Sequence, residues 1–209
     1  MKVILYTGKY CPYSLRARIA LAEKKMAMEI IESGDLTQEM QKTISPNGLF
    51  PVLKEKGYSI NNRKALLVYI DERFPAPGLL PSVVNDRIKI RQSLAKIDNE
   101  WYPVLDKIRE VRTNKVKLKT IFKDLKSSLL TVEKAFSETD YFISQTFTLA
   151  DCYIAAYIIA LEAEGFLIDE SFGAIHEYKK RLFARDSVRK ANIKGNANDS
   201  LLKTLRTQR

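Results

Sequence analysis

Cys11 is the side chain best suited to nucleophilic chemistry. It stands immediately before Pro12, a residue that favours the first turn of a helix. A thiol at a helix N-terminus has its pKa lowered by the helix dipole, so Cys11 is a candidate catalytic thiolate. Cys152, the second of two cysteines, is far along the chain, and the pair has neither metal-ligand spacing nor a disulfide pattern. The sequence therefore predicts one candidate nucleophile and no metal site.

The groups that could activate this thiol are not distinguished by the sequence. His176 is the single histidine and lies in a distant polar segment, so Cys-His or Ser-His catalysis is not indicated. No glycine loop of the phosphate-binding type is present. An alternative interpretation of Cys11 is a small structural residue with no substrate to attack. Hydroxyl side chains that lie near it along the chain are Tyr6, Tyr10, Tyr13 and Ser14.

Two adjacent cations, Arg63 and Lys64, form a second candidate site. They stand at the start of a predicted helix, where free backbone N–H groups and the helix dipole favour an anion. Side-chain cations there would add charge-assisted hydrogen bonds to a phosphate. The competing interpretation is a solvated basic pair.

The elements that position these residues form two groups. The first half of the chain reads as strand, helix, strand, followed after a short helix by a β-hairpin and another helix. This βαβ-ββα order requires a small mixed sheet flanked by helices. The predicted elements are a strand at 2–7, a helix from Pro12, a strand at 28–32, a helix at 36–44, hairpin strands at 50–53 and 58–60, and a helix at 65–73.

The second half is predicted to be all helical. A long amphipathic helix at 85–111 is interrupted at Pro103, another covers 117–136, and no convincing strand returns. We therefore expect a sheet-containing domain at 1–76, a proline-containing linker at 77–84 and a helical domain with a basic tail at 85–209.

Thr148 and Asp151 predict the start of the central helix. The Thr side chain can cap the helix while the carboxylate three residues later reaches back to the backbone N–H of the cap. The segment 152–161 is apolar nearly all round, which is typical of a helix buried on every side. Both residues are therefore predicted to be structural, and Asp151→Ala is expected to cost about 1 kcal/mol or more.

Composition limits the remaining function classes. The chain has 209 residues, 45% of them hydrophobic, and a formal charge of +10. Ten Lys or Arg residues against three Asp or Glu residues lie between His176 and Arg209, and no recognised nucleic-acid-binding motif is present. We therefore favour a solvated helix face and tail over direct nucleic-acid binding, and we expect no direct sequence-specific DNA binding by the chain. An acidic protein or a polyanionic ligand would fit as a partner. Without a signal peptide or a membrane-spanning run, a cytoplasmic protein with no membrane partner is expected.

The first half resembles the thioredoxin-like domain of glutathione S-transferases. The resemblance rests on Val3 to Tyr6, Tyr10-Cys11-Pro12-Tyr13-Ser14 and Asn47 to Val52. It implies that Phe50-Pro51 is a cis peptide with an architectural role for Pro51. It also implies a Glu-Ser pair that holds the γ-glutamyl end of glutathione, and Asn62-Arg63 stand there instead. An amide and a cation cannot pair with an ammonium group, so the usual substrate contact is expected to be lost.

Longer matches resemble the RNA-polymerase-associated stringent starvation protein A family within this fold. The discriminating run is Tyr69 to Pro77, Tyr-Ile-Asp-Glu-Arg-Phe-Pro-Ala-Pro. The resemblance implies a two-domain α/β plus all-α fold and a non-enzymatic transcription regulator without a cofactor. Further matches are Ile19 to Lys24, Trp101-Tyr102, Thr148 to Tyr153 and Phe183 to Ser187.

The same resemblance implies partners. Such proteins bind RNA polymerase and its sigma subunit through the loop Pro75-Ala76-Pro77, although Ala76 stands where the familiar form has His. They are homodimers or heterodimers with a paralogue, and some bind guanosine tetraphosphate and recruit a DNA-binding activator. Arg63 and Lys64, at or near the expected dimer cleft, suit that branch. The alternatives are an omega-like glutathione-dependent thioltransferase that uses Cys11, and a scaffold that binds only its dimer partner.

Overall fold

A computed structural model describes residues 3–8 and 11–193. We call residues 3–73 the sheet half and residues 84–193 the helical half. The fold is the predicted one, a four-stranded mixed sheet with flanking helices followed by helices. Residues 194–209 of the predicted basic tail lie outside the described residues. Within them, no helix is long and apolar enough to cross a bilayer.

The sheet has the strand order β2-β1-β3-β4. β1 pairs in parallel with β2 and antiparallel with β3, which pairs antiparallel with β4. Val3 and Leu5 on β1 are fully buried in the main core, whereas Tyr6 packs on the opposite side against a small cluster with Phe50 and Val52. The elements of this half are β1 (Val3–Thr7), α1 (Pro12–Glu23), β2 (Met28–Glu32), α2 (Gln38–Ile44), β3 (Val52–Glu55), β4 (Tyr58–Ile60) and α3 (Arg63–Arg73).

Side-chain caps explain where two of these helices begin. α2 starts at Gln38, two residues later than predicted, because the Thr37 side chain accepts from the Met40 N–H. α3 starts at Arg63, two residues earlier than predicted, because Asn62 caps it. An Asn or Thr oxygen satisfies N–H groups that have no partner within the helix, and this fixes the first residue of the helix.

The helical half contains six α-helices among the described residues. The predicted break near Pro103 is present as a π-helical turn at Ile97–Trp101. The predicted helix at 117–136 starts earlier, at Lys115, where Asn114 caps it, and ends at Thr131 before a 3₁₀ turn at Glu133–Phe136. The helices are α4 (Val84–Lys96), α5 (Tyr102–Val111), α6 (Lys115–Thr131), α7 (Leu149–Ala163), α8 (Ala174–Ala184) and α9 (Asp186–Ile193).

α7 is the buried centre of the helical half, as predicted. Thr148 and Asp151 form the predicted capping box. The Asp151 carboxylate also accepts from the Phe142 N–H at 3.0 Å and the Tyr178 hydroxyl at 2.6 Å, so it joins the helix to two other segments. Burial raises the pKa of the Cys152 thiol well above its ordinary value, which makes this cysteine a neutral packing residue.

α1 joins the two halves. It packs on α3 in the sheet half and on α7 and α9 in the helical half. Near its end, the Glu23 carboxylate accepts two hydrogen bonds from Arg185, at 2.9 and 2.7 Å, and one from the Ser187 hydroxyl. Bidentate Arg-carboxylate pairs are directional as well as strong, so this contact fixes α1 against the C-terminal helices.

Candidate functional site

Three predicted site residues meet at one backbone atom, the carbonyl oxygen of Phe50. Phe50-Pro51 is a cis peptide, as predicted. Arg63 Nε donates to the Phe50 oxygen at 3.1 Å, and the Cys11 thiol donates to the same oxygen at 3.5 Å. In a thioredoxin-like sheet, the strand beside the cis-proline exposes backbone groups that can pair with a peptide-like ligand. In this chain the Phe50 carbonyl oxygen, which is one of these backbone groups, already accepts a hydrogen bond from the Arg63 side chain.

The Arg63 guanidinium is held from a second direction by an aromatic ring. Its central carbon lies 4.0 Å from the centroid of the Tyr13 ring on α1. A guanidinium over an aromatic face is attracted by the ring quadrupole. Arg63 is therefore fixed between α1 and the cis-proline strand.

Asn62 acts as a helix cap. Its side-chain oxygen accepts from the backbone N–H groups of Lys64 and Ala65, both at 3.0 Å. The prediction that free N–H groups at this helix start would attract an anion is therefore wrong for these two groups, because the Asn62 amide oxygen already occupies them. Lys64 remains exposed, with its Nζ 3.9 Å from Asp98 Oδ2.

Arg16, which lies below Arg63, was missed by the sequence reasoning. It is fully buried, and it donates to Asp98 Oδ1 at 2.6 Å and to the Arg63 carbonyl oxygen at 3.2 Å. Its guanidinium carbon also lies 3.8 Å from the Tyr153 ring centroid. Arg16 thus joins α1, the start of α3 and the helical half. No local pattern marks it, because Asp98 is 82 residues away in sequence.

The described side chains with hydroxyl groups that lie near Cys11 in sequence make contacts within the protein. Ser14 is buried and accepts from the Gly8 N–H at 3.0 Å. Burial raises the pKa of the Tyr13 hydroxyl, and this outweighs the opposite effect of Arg63 and Arg16, so the group stays protonated at neutral pH. The Tyr6 ring lies 5.5 Å from Lys54 Nζ. Tyr10 lies outside the described residues.

The Pro75-Ala76-Pro77 loop forms a second candidate surface, at the opposite end of α3. All three residues are exposed, and Ala76-Pro77 is also a cis peptide, which the sequence reasoning did not predict. Lys24, whose side chain is fully buried, donates to the Pro77 carbonyl oxygen at 2.6 Å and to Asp71 Oδ1 at 2.5 Å. An exposed loop is thus held from below by a buried ion pair.

Hydrogen bonds also fix the backbone that follows this loop. Asp71 Oδ1 accepts from the Leu79 N–H at 2.7 Å, and the Leu79 carbonyl oxygen accepts from the Leu149 N–H at 2.8 Å. These bonds connect the end of α3, the loop and the start of α7. The loop therefore presents its prolines on a fixed support.

The fold and its cis-proline define the class of protein, that of the glutathione S-transferases. The model of the glutathione S-transferase N-terminal domain matches residues 5–78, and that of the C-terminal domain matches residues 93–186. Among solved structures, FzlA from C. crescentus has a TM-score of 0.82 at 22% identity, covering 91% of this chain and 92% of that one. Glutathione transferase Omega 3C from Trametes versicolor has a TM-score of 0.78 at 25% identity, covering 91% and 89%.

Similarity to one group of proteins identifies the branch of this class to which the chain belongs. The stringent starvation protein A homolog of Histophilus somni is 33% identical over 186 residues, which cover 88% of this chain and 86% of the relative. The chain belongs to the stringent starvation protein A branch of the glutathione S-transferase family.

Proposed function

We propose that the chain is a non-enzymatic transcription regulator that binds RNA polymerase holoenzyme through the sigma subunit. The contact surface in this proposal is the loop Pro75-Ala76-Pro77. The observation that carries it is the exposed loop fixed by the buried Lys24–Asp71 pair. A loop that is already ordered loses little conformational freedom on docking, so its binding energy is not spent on ordering.

The contacts of Asn62 and Arg63 beside the cis-proline support the non-enzymatic part of the proposal. Glutathione binding in this fold needs a counter-charge for an ammonium group and open backbone groups beside the cis-proline. Asn62 carries no charge and caps α3, while Arg63 donates to the Phe50 carbonyl oxygen. The ammonium group of a glutathione molecule bound here would therefore lie beside the Arg63 cation. The Phe50 carbonyl oxygen would already be hydrogen-bonded to Arg63.

The proposed assembly is a dimer, either of two copies or with a paralogue. Val84 and Ile88 lie one turn apart on α4 and are 66% and 45% exposed. Large apolar side chains at this spacing form a stripe that a second subunit can cover. Sedimentation at micromolar concentration is expected to show a dimer, and Val84→Glu with Ile88→Glu to shift it to monomer. A monomer both alone and with the paralogue would contradict this part.

The polymerase contact is tested by capture from native cells of a tagged chain expressed at its endogenous level. Ala76→Arg and Ala76→Glu both add bulk to an exposed position without removing a packed side chain, and they carry opposite charges. Thr43→Arg, at an exposed position on α2, is the matched control. We expect polymerase and sigma subunits with the unmodified chain and the control, and at least a tenfold loss with both Ala76 variants.

Each other result of this capture has a definite meaning. Absence of polymerase subunits from the unmodified chain would refute the proposal. Loss with only one Ala76 variant would indicate a charge effect and not a loop contact. Melting curves of all variants must coincide with that of the unmodified chain, since unfolding would also abolish capture.

A further inference from the structure

Lysines form a stripe along one face of α6. Lys115, Lys119 and Lys123 are four residues apart, and Lys126 follows three residues later. At about 100° per residue, these four positions fall within roughly 80° of the helix circumference. The rise between the first and the last is about 16 Å, with steps of about 6 Å between the first three. We call these four residues the lysine stripe.

Three members of the lysine stripe are cations without a nearby counter-charge. Within the described part of the chain, no carboxylate lies within ion-pair distance of Lys115, Lys119 or Lys123, and all three are exposed. Elsewhere on the surface, Lys89 pairs with Asp86 and Lys180 with Glu177.

This arrangement is unfavourable for the isolated helix. Lys115 and Lys119 lie in the first turns of α6, where the helix dipole disfavours positive charge. Lys115 with Lys119, and Lys119 with Lys123, are like-charge pairs at the spacing that brings side chains together. A local arrangement that opposes folding is expected where a site serves binding.

The composition of the stripe indicates which kind of partner fits. Protein–protein interfaces are depleted in lysine and are anchored by buried aromatic or apolar groups. The exposed apolar residues on α6 are Val116 near its start and Leu130 at its other end. Lysines in a regular row match instead a regular row of phosphates, which position a protein on DNA without specifying sequence.

We propose that the lysine stripe binds the phosphate backbone of double-stranded DNA without reading its sequence. The stripe lies on a rigid helix of 17 residues. Lys115, Lys119 and Lys123 are exposed on flexible stems, as expected for contacts to phosphates that carry no base information, whereas Lys126 Nζ donates to the Ser171 hydroxyl at 2.8 Å. This proposal concerns a different surface from the Pro75-Ala76-Pro77 loop and does not depend on polymerase binding.

The test is fluorescence anisotropy of a labelled 30-base-pair duplex of arbitrary sequence, titrated with the full chain at several salt concentrations. The variant carries Lys115→Gln, Lys119→Gln and Lys123→Gln. The matched control carries Lys42→Gln, Lys89→Gln and Lys180→Gln, which remove the same charge from exposed positions elsewhere. Because each phosphate contact releases counter-ions, the slope of log affinity against log salt counts the contacts.

We expect the stripe variant to lose about three units of that slope, and at least about tenfold in affinity at 50 mM salt, whereas the control keeps its slope. Equal losses in both variants would overturn the proposal, because they would report net charge and not a site. Absence of duplex binding by the unmodified chain at low salt would also overturn it. Circular dichroism of both variants checks that α6 is still folded.

Discussion

Arg63 Nε donates a hydrogen bond of 3.1 Å to the carbonyl oxygen of Phe50, the residue before the cis-proline. The resemblance to glutathione S-transferases places Asn62 and Arg63 where a Glu-Ser pair would hold the γ-glutamyl end of glutathione. In this chain the Arg63 guanidinium is hydrogen-bonded to the backbone beside the cis-proline. This contact supports the proposal that the chain does not bind glutathione.

We expect no retention of this chain on immobilised glutathione and no conjugation of glutathione to a chlorinated aromatic acceptor. Arg63→Ser frees the Phe50 carbonyl oxygen but adds no counter-charge. Asn62→Glu adds the counter-charge but leaves Arg63 in place. Only the double variant should recover measurable retention on the resin. Turnover by the unmodified chain well above that of Cys11→Ala would instead support the thioltransferase alternative.

Asp151→Ala is expected to cost about 3 kcal/mol of unfolding free energy, more than a single lost cap. The carboxylate accepts from two backbone N–H groups and from two hydroxyls, those of Thr148 and Tyr178. Removing it leaves buried donors without an acceptor. Urea unfolding measures the loss. Thr146→Ala, at an exposed position just before the cap, is the control and should change stability by less than about 0.5 kcal/mol.

The pH dependence of this effect has a definite sign. Burial raises the pKa of Asp151, although its hydrogen bonds act to lower it. The folded chain therefore holds the proton more tightly than the unfolded chain, and the carboxyl contributes most stability below the unfolded pKa of about 3.9. The advantage of the unmodified chain over Asp151→Asn should thus fall as pH rises from about 4 towards 7. An advantage that grows with pH would show that the hydrogen bonds outweigh burial.

Much of the fold could be predicted because its signals are local. The β-branched run at β1, the Thr148–Asp151 cap and the apolar α7 each fix an element within a few residues. Helix starts that depend on a single side chain, such as Asn62, were placed two residues away from where they lie. A cap is decided by the hydrogen bonds of one side chain, and propensity does not determine which residue makes them.

The site was predictable only in part, because its important contacts are distant in sequence. Cys11, Pro51 and Arg63 were singled out, but not their meeting point at the Phe50 carbonyl oxygen. Lys24 and Asp71 are 47 residues apart, and nothing in either neighbourhood signals a buried pair. Such pairs exist because tertiary packing removes both groups from water together.

The structure leaves Lys64 as the exposed cation of the predicted guanosine tetraphosphate site. Two N–H groups of α3 are taken by Asn62, and Arg63 is engaged with Phe50 and Tyr13. We therefore expect titration calorimetry of the chain by itself to show no heat at tens of micromolar ligand, equivalent to about 6 kcal/mol of affinity. We expect binding by the complex with a paralogue, on the hypothesis that the partner supplies further cations at the dimer cleft.

Lys64→Ala should abolish the heat of guanosine tetraphosphate binding to the complex with the paralogue. Lys42→Ala, at an exposed position on α2, should leave that heat unchanged. Unchanged binding by the Lys64 variant would remove this residue from the site. Absence of heat from both assemblies would remove the alarmone from the proposed regulation while leaving the polymerase contact intact.

The support beneath the proline loop can be tested by a double-mutant cycle. Lys24→Met and Asp71→Asn each leave one buried charge without its partner, so each should cost about 3–5 kcal/mol. The combined variant removes both charges, and the Asn oxygen can still accept from the Leu79 N–H. It should therefore cost clearly less than the sum of the single changes. Lys89→Met, which breaks an exposed pair, is the control and should cost no more than about 1 kcal/mol.

The same variants connect stability to the proposed contact. Lys24 is fully buried and cannot touch a partner, yet it donates to the Pro77 carbonyl oxygen. At a temperature where all variants are folded, Lys24→Met and the combined variant should both bind the sigma-containing holoenzyme more weakly, because each frees the loop. Unchanged binding by a folded Lys24→Met variant would show that the loop does not need this support. Additive costs in the cycle would show that the two charges do not stabilise each other.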